Sequence, residues 1–272
     1  MPESPSGSGS LDLWLIDAFT DRAFAGNPAA ICLLPEARPE RWMQDVAREM
    51  NQAETAFLVR GGDGYGLRWF TPAAEVKLCG HATLASAHFL WERHDAEPDR
   101  VIRFHTKSGV LTAEREGDWI VLDFPATPAS PVEPPAGLLE SLGGVAGADV
   151  LGNGMDYMVI LAEAKTVRSL EPDMRRLAGV DCRGVIVTAA GDRPGIDFVS
   201  RFFGPAVGVD EDPVTGSAHC TLGPYWGSRL EKTELTGHQA SPRGGSVRVT
   251  LAGDRVRLAG RAVTVLRGAL AA

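Results

Sequence analysis

Glu54 sits in the run Asn51-Gln52-Ala53-Glu54-Thr55-Ala56-Phe57, at the point where an amphipathic stretch ends and an apolar one begins. A carboxylate opening a buried strand is partly desolvated. Desolvation disfavours the charged form of a carboxyl group, which suits a residue that must both take and return a proton. The plainer alternative is a glutamate at a strand edge that points into solvent. Two further clusters have residue types fit for binding an anion. Cys79-Gly80-His81 and Asp212-Pro213-Val214-Thr215-Gly216-Ser217 each place a glycine where a helix is expected to start. Helix N-termini expose unpaired N–H groups and the positive end of the dipole, and glycine admits a ligand close to the backbone. Such donors can stabilise a carboxylate or an enolate-like oxygen. A histidine at an apolar helix start is more often a satisfied core residue than a catalyst. Asp212 precedes Pro213 and is therefore expected in an extended or turn conformation. Of the crowded trio Asp210, Glu211 and Asp212, a single side chain is expected to point inward.

The cysteines offer a different chemistry. Cys79 stands just before Gly80, and Cys220 lies four residues after Gly216. One thiolate on each face of a carbon acid would make a two-base racemase. The two positions do not match, however, because Cys79 precedes its glycine whereas Cys220 falls inside its helix. Cys220 reads most simply as a small buried apolar residue, and Cys79 stays open.

The elements that must hold these residues can be read from periodicity. Gly80–Trp91 and Gly216–Trp226 are small and apolar nearly all the way round, so both are expected as helices buried on every side. Pro224 is expected to end or kink the second. Glu40–Met50 carries Trp42, Met43, Val46, Ala47 and Met50 on one stripe and charged residues opposite, the pattern of a helix lying on a sheet. Weaker helical signals fall at 137–142 and 173–177. Strands are expected at Leu11–Asp17 (apolar on both faces), Ala29–Leu34, Leu67–Phe70, Val101–His105, Trp119–Phe124, Tyr157–Leu161, Gly184–Ala189 and Ile196–Phe203. Ser246–Leu251, Arg255–Leu258 and Ala262–Leu266 alternate as in a hairpin meander.

An internal repeat links the two helices. Arg68-Trp69-Phe70-Thr71-Pro72-Ala73 precedes Gly80, and Arg201-Phe202-Phe203-Gly204-Pro205-Ala206 precedes Gly216. This reads as a duplicated strand–loop–buried-helix unit. The proline-rich passage Pro125–Pro135 is the best linker candidate. It divides the chain into a tail of residues 1–10, an N-terminal half of 11–125 and a C-terminal half of 126–270, with the final strand free to pack back onto the first half.

Composition narrows the partners. The 272 residues include 35 acidic and 27 basic ones, a formal charge of −8, with no basic run. A nucleic-acid partner is therefore not expected. No stretch approaches the roughly 18 apolar residues of a membrane helix. The start of the chain is polar and lacks the positive charge of a secretory leader. Four widely spaced cysteines with no CxxC pair argue against a disulfide framework and against a zinc site, and a reducing cytoplasm is the default location.

The motifs together resemble a known family, the phenazine-biosynthesis isomerase-like (PhzF-like) proteins. The resemblance rests on Asp17-Ala18-Phe19-Thr20, Phe24-Ala25-Gly26-Asn27-Pro28, the Glu54 run, Cys79-Gly80-His81-Ala82-Thr83 and Asp212 to Ala218, in the family's order along nearly the whole chain. It implies an α+β fold of the diaminopimelate epimerase type. Two pseudo-symmetric halves would each wrap a mostly antiparallel sheet round a central buried helix, with the site in the cleft between them. It also implies Glu54 as general acid/base, Gly80 and His81 as substrate contacts, Asp212 as the holder of substrate polar groups, and Gly216 with Ser217 as donors at the second helix. Members of the family need no metal or organic cofactor, act on small carboxylate-bearing molecules and are often homodimers.

The likeness to the epimerases is partial. Their first thiol base stands where Cys79 stands, but the position of their second is Pro213 here, which takes no proton. The sequence therefore favours a one-carboxylate isomerase that moves a proton between carbons. An amino-acid epimerase using Cys79, and a non-catalytic small-molecule-binding member of the fold, are the alternatives.

Overall fold

A computed structural model describes residues 10–97, 99–145 and 148–271. Nearly all of the expected tail lies outside the described residues. The chain forms two compact units. One comprises Pro28–Ile120 with the chain up to Phe24 and from Arg261 onward; the other comprises Ala25–Asn27 and Val121–Gly260.

The first unit is a mixed sheet with two helices. Leu11–Ala18 pairs antiparallel with Ala262–Leu270, Leu11 opposite Leu270. Residues from Ala29 run parallel to Glu54–Arg60, Ala29 opposite Glu54, and that strand pairs antiparallel with Tyr65–Phe70. Helix Glu40–Met50 makes the crossover between the two parallel strands, as a parallel pair requires. Its stripe of Met43, Val46 and Ala47 is buried against Cys32, Leu34, Phe57 and Phe70. Asn51, in the left-handed region at φ 48, ends the helix and hands its N–H to the Ala47 carbonyl. This tight ending turns the chain directly into the strand that Glu54 opens.

Helix Gly80–Glu92 packs against Leu11–Ala18, Glu54–Arg60, Gly109–Glu116 and Ala262–Leu270. Ala82, Leu84, Ala85, Ala87, Phe89 and Leu90 are fully buried on it, as expected of a helix without a polar face. Its hydroxyls are satisfied locally: Thr83 Oγ1 donates to the Cys79 carbonyl at 2.5 Å and Ser86 Oγ to the Ala82 carbonyl at 2.7 Å.

The second unit is also a mixed sheet. Asp156–Ile160 runs parallel to Gly184–Ala190, which pairs antiparallel with Phe198–Gly204. Phe198–Gly204 in turn pairs parallel with Glu234–Gln239, and a meander continues through Gly245–Ala252 and Arg255–Gly260. Helix Gly216–Leu230 lies on these last three strands. Two glycines set how closely it lies. A Cβ on Gly223 would stand 2.7 Å from Val249 Cγ1, and one on Gly227 would stand 2.4 Å from Leu251 Cδ1 and 2.9 Å from the Lys232 carbonyl oxygen.

Pro224 does not end this helix, which continues for another turn and a half to Leu230. Proline lacks the N–H that would bond the Cys220 carbonyl. That carbonyl instead accepts the backbone N–H of Thr127 at 3.0 Å. The proline-rich passage is thus bound into the second unit, and its Ser130–Pro131 also pairs with Leu151–Gly152. A short helix at Ala164–Ser169 was not foreseen from the sequence. Those near 138–141 and 174–177 form, the latter capped by Asp173, which accepts the Arg176 N–H at 3.1 Å.

The arginines of the repeat are used alike. Arg68 makes a two-point ion pair with Glu75 at 2.7 and 2.6 Å and lies over the Phe70 ring. Arg201 makes one with Glu211 at 2.7 and 2.9 Å and lies over Phe203. No helix among the described residues is long and apolar enough to cross a membrane.

Candidate active site

Glu54, Cys79 and His81 come together in the first unit. Cys79 is the extended residue just before the helix, at φ −145 and ψ 114. That backbone turns its sulfur towards the first turn, where it lies 3.5 Å from His81 Nδ1. The other ring nitrogen, Nε2, lies 3.1 Å from Glu54 Oε2. The His81 side chain is 6% exposed and that of Glu54 17%, so the carboxylate is the end of the group that meets solvent. His81 is therefore a core residue by burial but not an inert one.

The electrostatics follow from this packing. Burial pulls the His81 pKa down, but the charges of Cys79 and Glu54 and their hydrogen bonds outweigh it, so the imidazole titrates well above its ordinary range. Burial, reinforced by the Glu54 charge, raises the Cys79 thiol, while His81 opposes the rise. Gly80 is half-buried at the helix start, where helix geometry leaves the first-turn N–H groups without intrahelical acceptors. A carboxylate beside a protonated imidazole and a helix N-terminus can accept a proton from carbon and hold the negative charge that develops.

Asp212, Gly216 and Ser217 come together in the second unit. Asp212 ends the strand Val209–Asp212. Its Oδ1 accepts from Asn27 Nδ2 at 2.7 Å and its Oδ2 from Thr215 Oγ1 at 2.5 Å. Gly216 is buried and Ser217 half-buried at the start of the second buried helix. Of the acidic trio, two side chains are engaged rather than one: Glu211 is taken by Arg201 and Asp212 by Asn27 and Thr215, while Asp210 is exposed. The reason is that the strand ends here, and Arg201 on the neighbouring strand claims Glu211 on the way.

Sequence reasoning missed the residues that fix this loop. Gln239, fully buried, accepts the Thr215 N–H at 2.9 Å and donates to the Asp212 carbonyl at 2.7 Å. Asn27 also donates to the Val214 carbonyl at 2.9 Å, and Ser241 donates to the Pro213 carbonyl at 2.8 Å. Asn27 stands inside the Gly26-Asn27-Pro28 motif, which was the available signal for it. Gln239 and Ser241 had none.

Cys220 is buried, donates weakly to the Gly216 carbonyl at 3.7 Å and has its thiol pushed up to about 12 by burial. A thiol so placed stays protonated at neutral pH and is a poor base. All four cysteines are free.

The mixed sheets and two buried helices make an α+β fold that proteins of distant sequence share. A probable proline racemase from Agrobacterium radiobacter shares the fold at a TM-score of 0.63, with 12% identity over 95% of this chain and 92% of that one. Far closer is a PhzF-family phenazine biosynthesis protein from Enterococcus faecalis, at a TM-score of 0.91 and 39% identity, covering 96% of this chain and 99% of that chain. The profile of the phenazine biosynthesis-like protein family matches residues 16–268, and the chain belongs to that family. Among curated relatives, an uncharacterized isomerase of Halalkalibacterium halodurans is 52% identical over 95% of this chain and 97% of its own length. The human phenazine biosynthesis-like domain-containing protein is 41% identical over 96% of this chain and 99% of its own.

Proposed function

We propose that this protein is an isomerase that moves a proton between carbons of a small carboxylate-bearing substrate by general acid–base catalysis. The observation that carries this reading is the 3.1 Å approach of His81 Nε2 to a partly exposed Glu54 carboxylate beside a helix N-terminus. Glu54 accepts a proton from a carbon next to an unsaturated or carbonyl group and returns it elsewhere on the skeleton. His81 orients Glu54 and adds positive charge beside it, and the N–H groups at Gly80 stabilise the electron-rich intermediate. Asp212, Gly216 and Ser217 bind the substrate's amino, hydroxyl or carboxylate groups. The names of the relatives as isomerases support the reaction class.

Homodimerisation, a cytoplasmic location and pseudo-symmetry between two halves belong to the same proposal. Pseudo-symmetry is supported by the matching Arg68–Glu75 and Arg201–Glu211 pairs. The test is a thermal-shift screen of small carboxylic acids, followed by proton NMR of each stabilising compound in deuterated water. Exchange or migration of a carbon-bound proton supports the reading. Stabilisation with no exchange on any compound favours a binding protein instead.

A further inference from the structure

We propose that Glu54, Cys79 and His81 also form a binding site for a thiophilic divalent cation of the zinc type. One carboxylate oxygen, the thiol sulfur and one imidazole nitrogen lie within 4.8 Å of one another. Around a four-coordinate zinc, with donors at about 2.0–2.3 Å, such atoms stand roughly 3.3–3.8 Å apart. Cys79 Sγ and His81 Nδ1, at 3.5 Å, already have that spacing. The ion takes the place of the proton between them, and Glu54 turns onto it from Nε2. Closing the triangle asks the carboxylate to swing away from Nε2, and Glu54, at 17% exposed against 6% for His81, is the freer of the two side chains to move.

Charge and donor type agree with this occupant. A thiolate and a carboxylate carry two negative charges, which a divalent ion cancels, so the loaded site is neutral where the protein is buried. The helix dipole opposes a cation at this end but stabilises the thiolate that binds it. Magnesium and calcium prefer an all-oxygen shell, whereas a sulfur, nitrogen and oxygen set suits zinc or cobalt(II). Three protein donors leave the fourth position of a four-coordinate ion to water or a small ligand. The metal site does not require that Glu54 be a base. That the bound ion inhibits the reaction does rest on the function proposed above, because a metal-bound carboxylate no longer accepts a proton.

The experiment is titration of the wild-type chain with cobalt(II) alone, read by absorbance. A near-ultraviolet thiolate-to-cobalt band with the strong visible bands of a four-coordinate ion is expected, saturating at one cobalt per chain and reversed by zinc. Cys182→Ser keeps the thiolate band and Cys79→Ser loses it. Glu54→Gln and His81→Gln weaken cobalt binding by roughly tenfold or more. No thiolate band in the folded wild type, or a band that survives in Cys79→Ser, overturns the site. Circular dichroism checks that each variant is folded. Should Cys79→Ser unfold, unchanged cobalt affinity in folded Glu54→Gln overturns the three-residue site. A chain that binds cobalt while its substrate exchange is indifferent to Glu54 keeps this site and loses the proposed reaction.

Discussion

The Glu54 carboxylate and the His81 imidazole are brought to 3.1 Å by a strand start and a helix start inside the first unit, and the carboxylate favours the charged form of the imidazole. Together with Cys79, the larger influence, this pairing explains how a buried histidine titrates above its usual range. In the reaction proposed above, the two side chains act as one acid–base pair.

This coupling gives stability a pH dependence. A histidine whose folded pKa is raised above its unfolded value of about 6.5 contributes stability that is fully present below that value and is lost as pH rises through the folded pKa. Urea unfolding of wild type and His81→Gln is expected to show the larger gap between them at mildly acidic pH and a smaller one in alkali. A gap that grows with rising pH would show that the imidazole is held neutral.

Asn27 is expected to matter out of proportion to its size. It is fully buried and donates to both Asp212 and the Val214 carbonyl. Asn27→Ala removes both hydrogen bonds and costs about 1–3 kcal/mol in denaturant unfolding. Asn27→Asp sets a carboxylate against Asp212 and costs more. Equal stability of Asn27→Ala and wild type would remove Asn27 from the loop's support.

Close helix packing makes its own prediction. Gly227→Ala brings a methyl group within 2.9 Å of the Lys232 carbonyl oxygen, a backbone atom that cannot turn aside. A loss of about 1–3 kcal/mol is expected. Gly62→Ala, with nothing within 4 Å of the new carbon, should change stability by under about 0.5 kcal/mol. Thermal melts of the two variants side by side settle the contrast.

Cys79→Ala separates the carboxylate mechanism from a thiol one. With Glu54 as the base, exchange of the substrate's carbon-bound proton stays within about tenfold of wild type, since the variant loses a neighbour of His81 and not the base. A thiol base at Cys79 would instead lose roughly 10²-fold or more. Proton NMR in deuterated water measures both.

The two buried helices were legible because their residues are apolar on every side, which no surface helix tolerates. The run beyond Trp226 was not, because the group that replaces Pro224's missing donor is Thr127, remote in sequence. Strand Gly109–Glu116 escaped notice because its residues are mostly exposed or half-buried and so carry no clear alternation. Among the candidate residues, Glu54, His81 and Asp212 stood out by motif and neighbourhood. Their partners did not: a glutamine at position 239 in a short polar strand has nothing in its neighbours to mark it as the clamp on Thr215. Periodicity reports burial of a local segment, whereas hydrogen bonds between distant segments appear only once the chain is folded.

The most direct measurement is incorporation of deuterium from solvent into a stabilising carboxylic acid, compared between wild type and Glu54→Gln at equal saturation. The account predicts a loss of roughly 10²–10⁴ in exchange rate with the fold and the binding retained. Exchange at an undiminished rate in folded Glu54→Gln would contradict it.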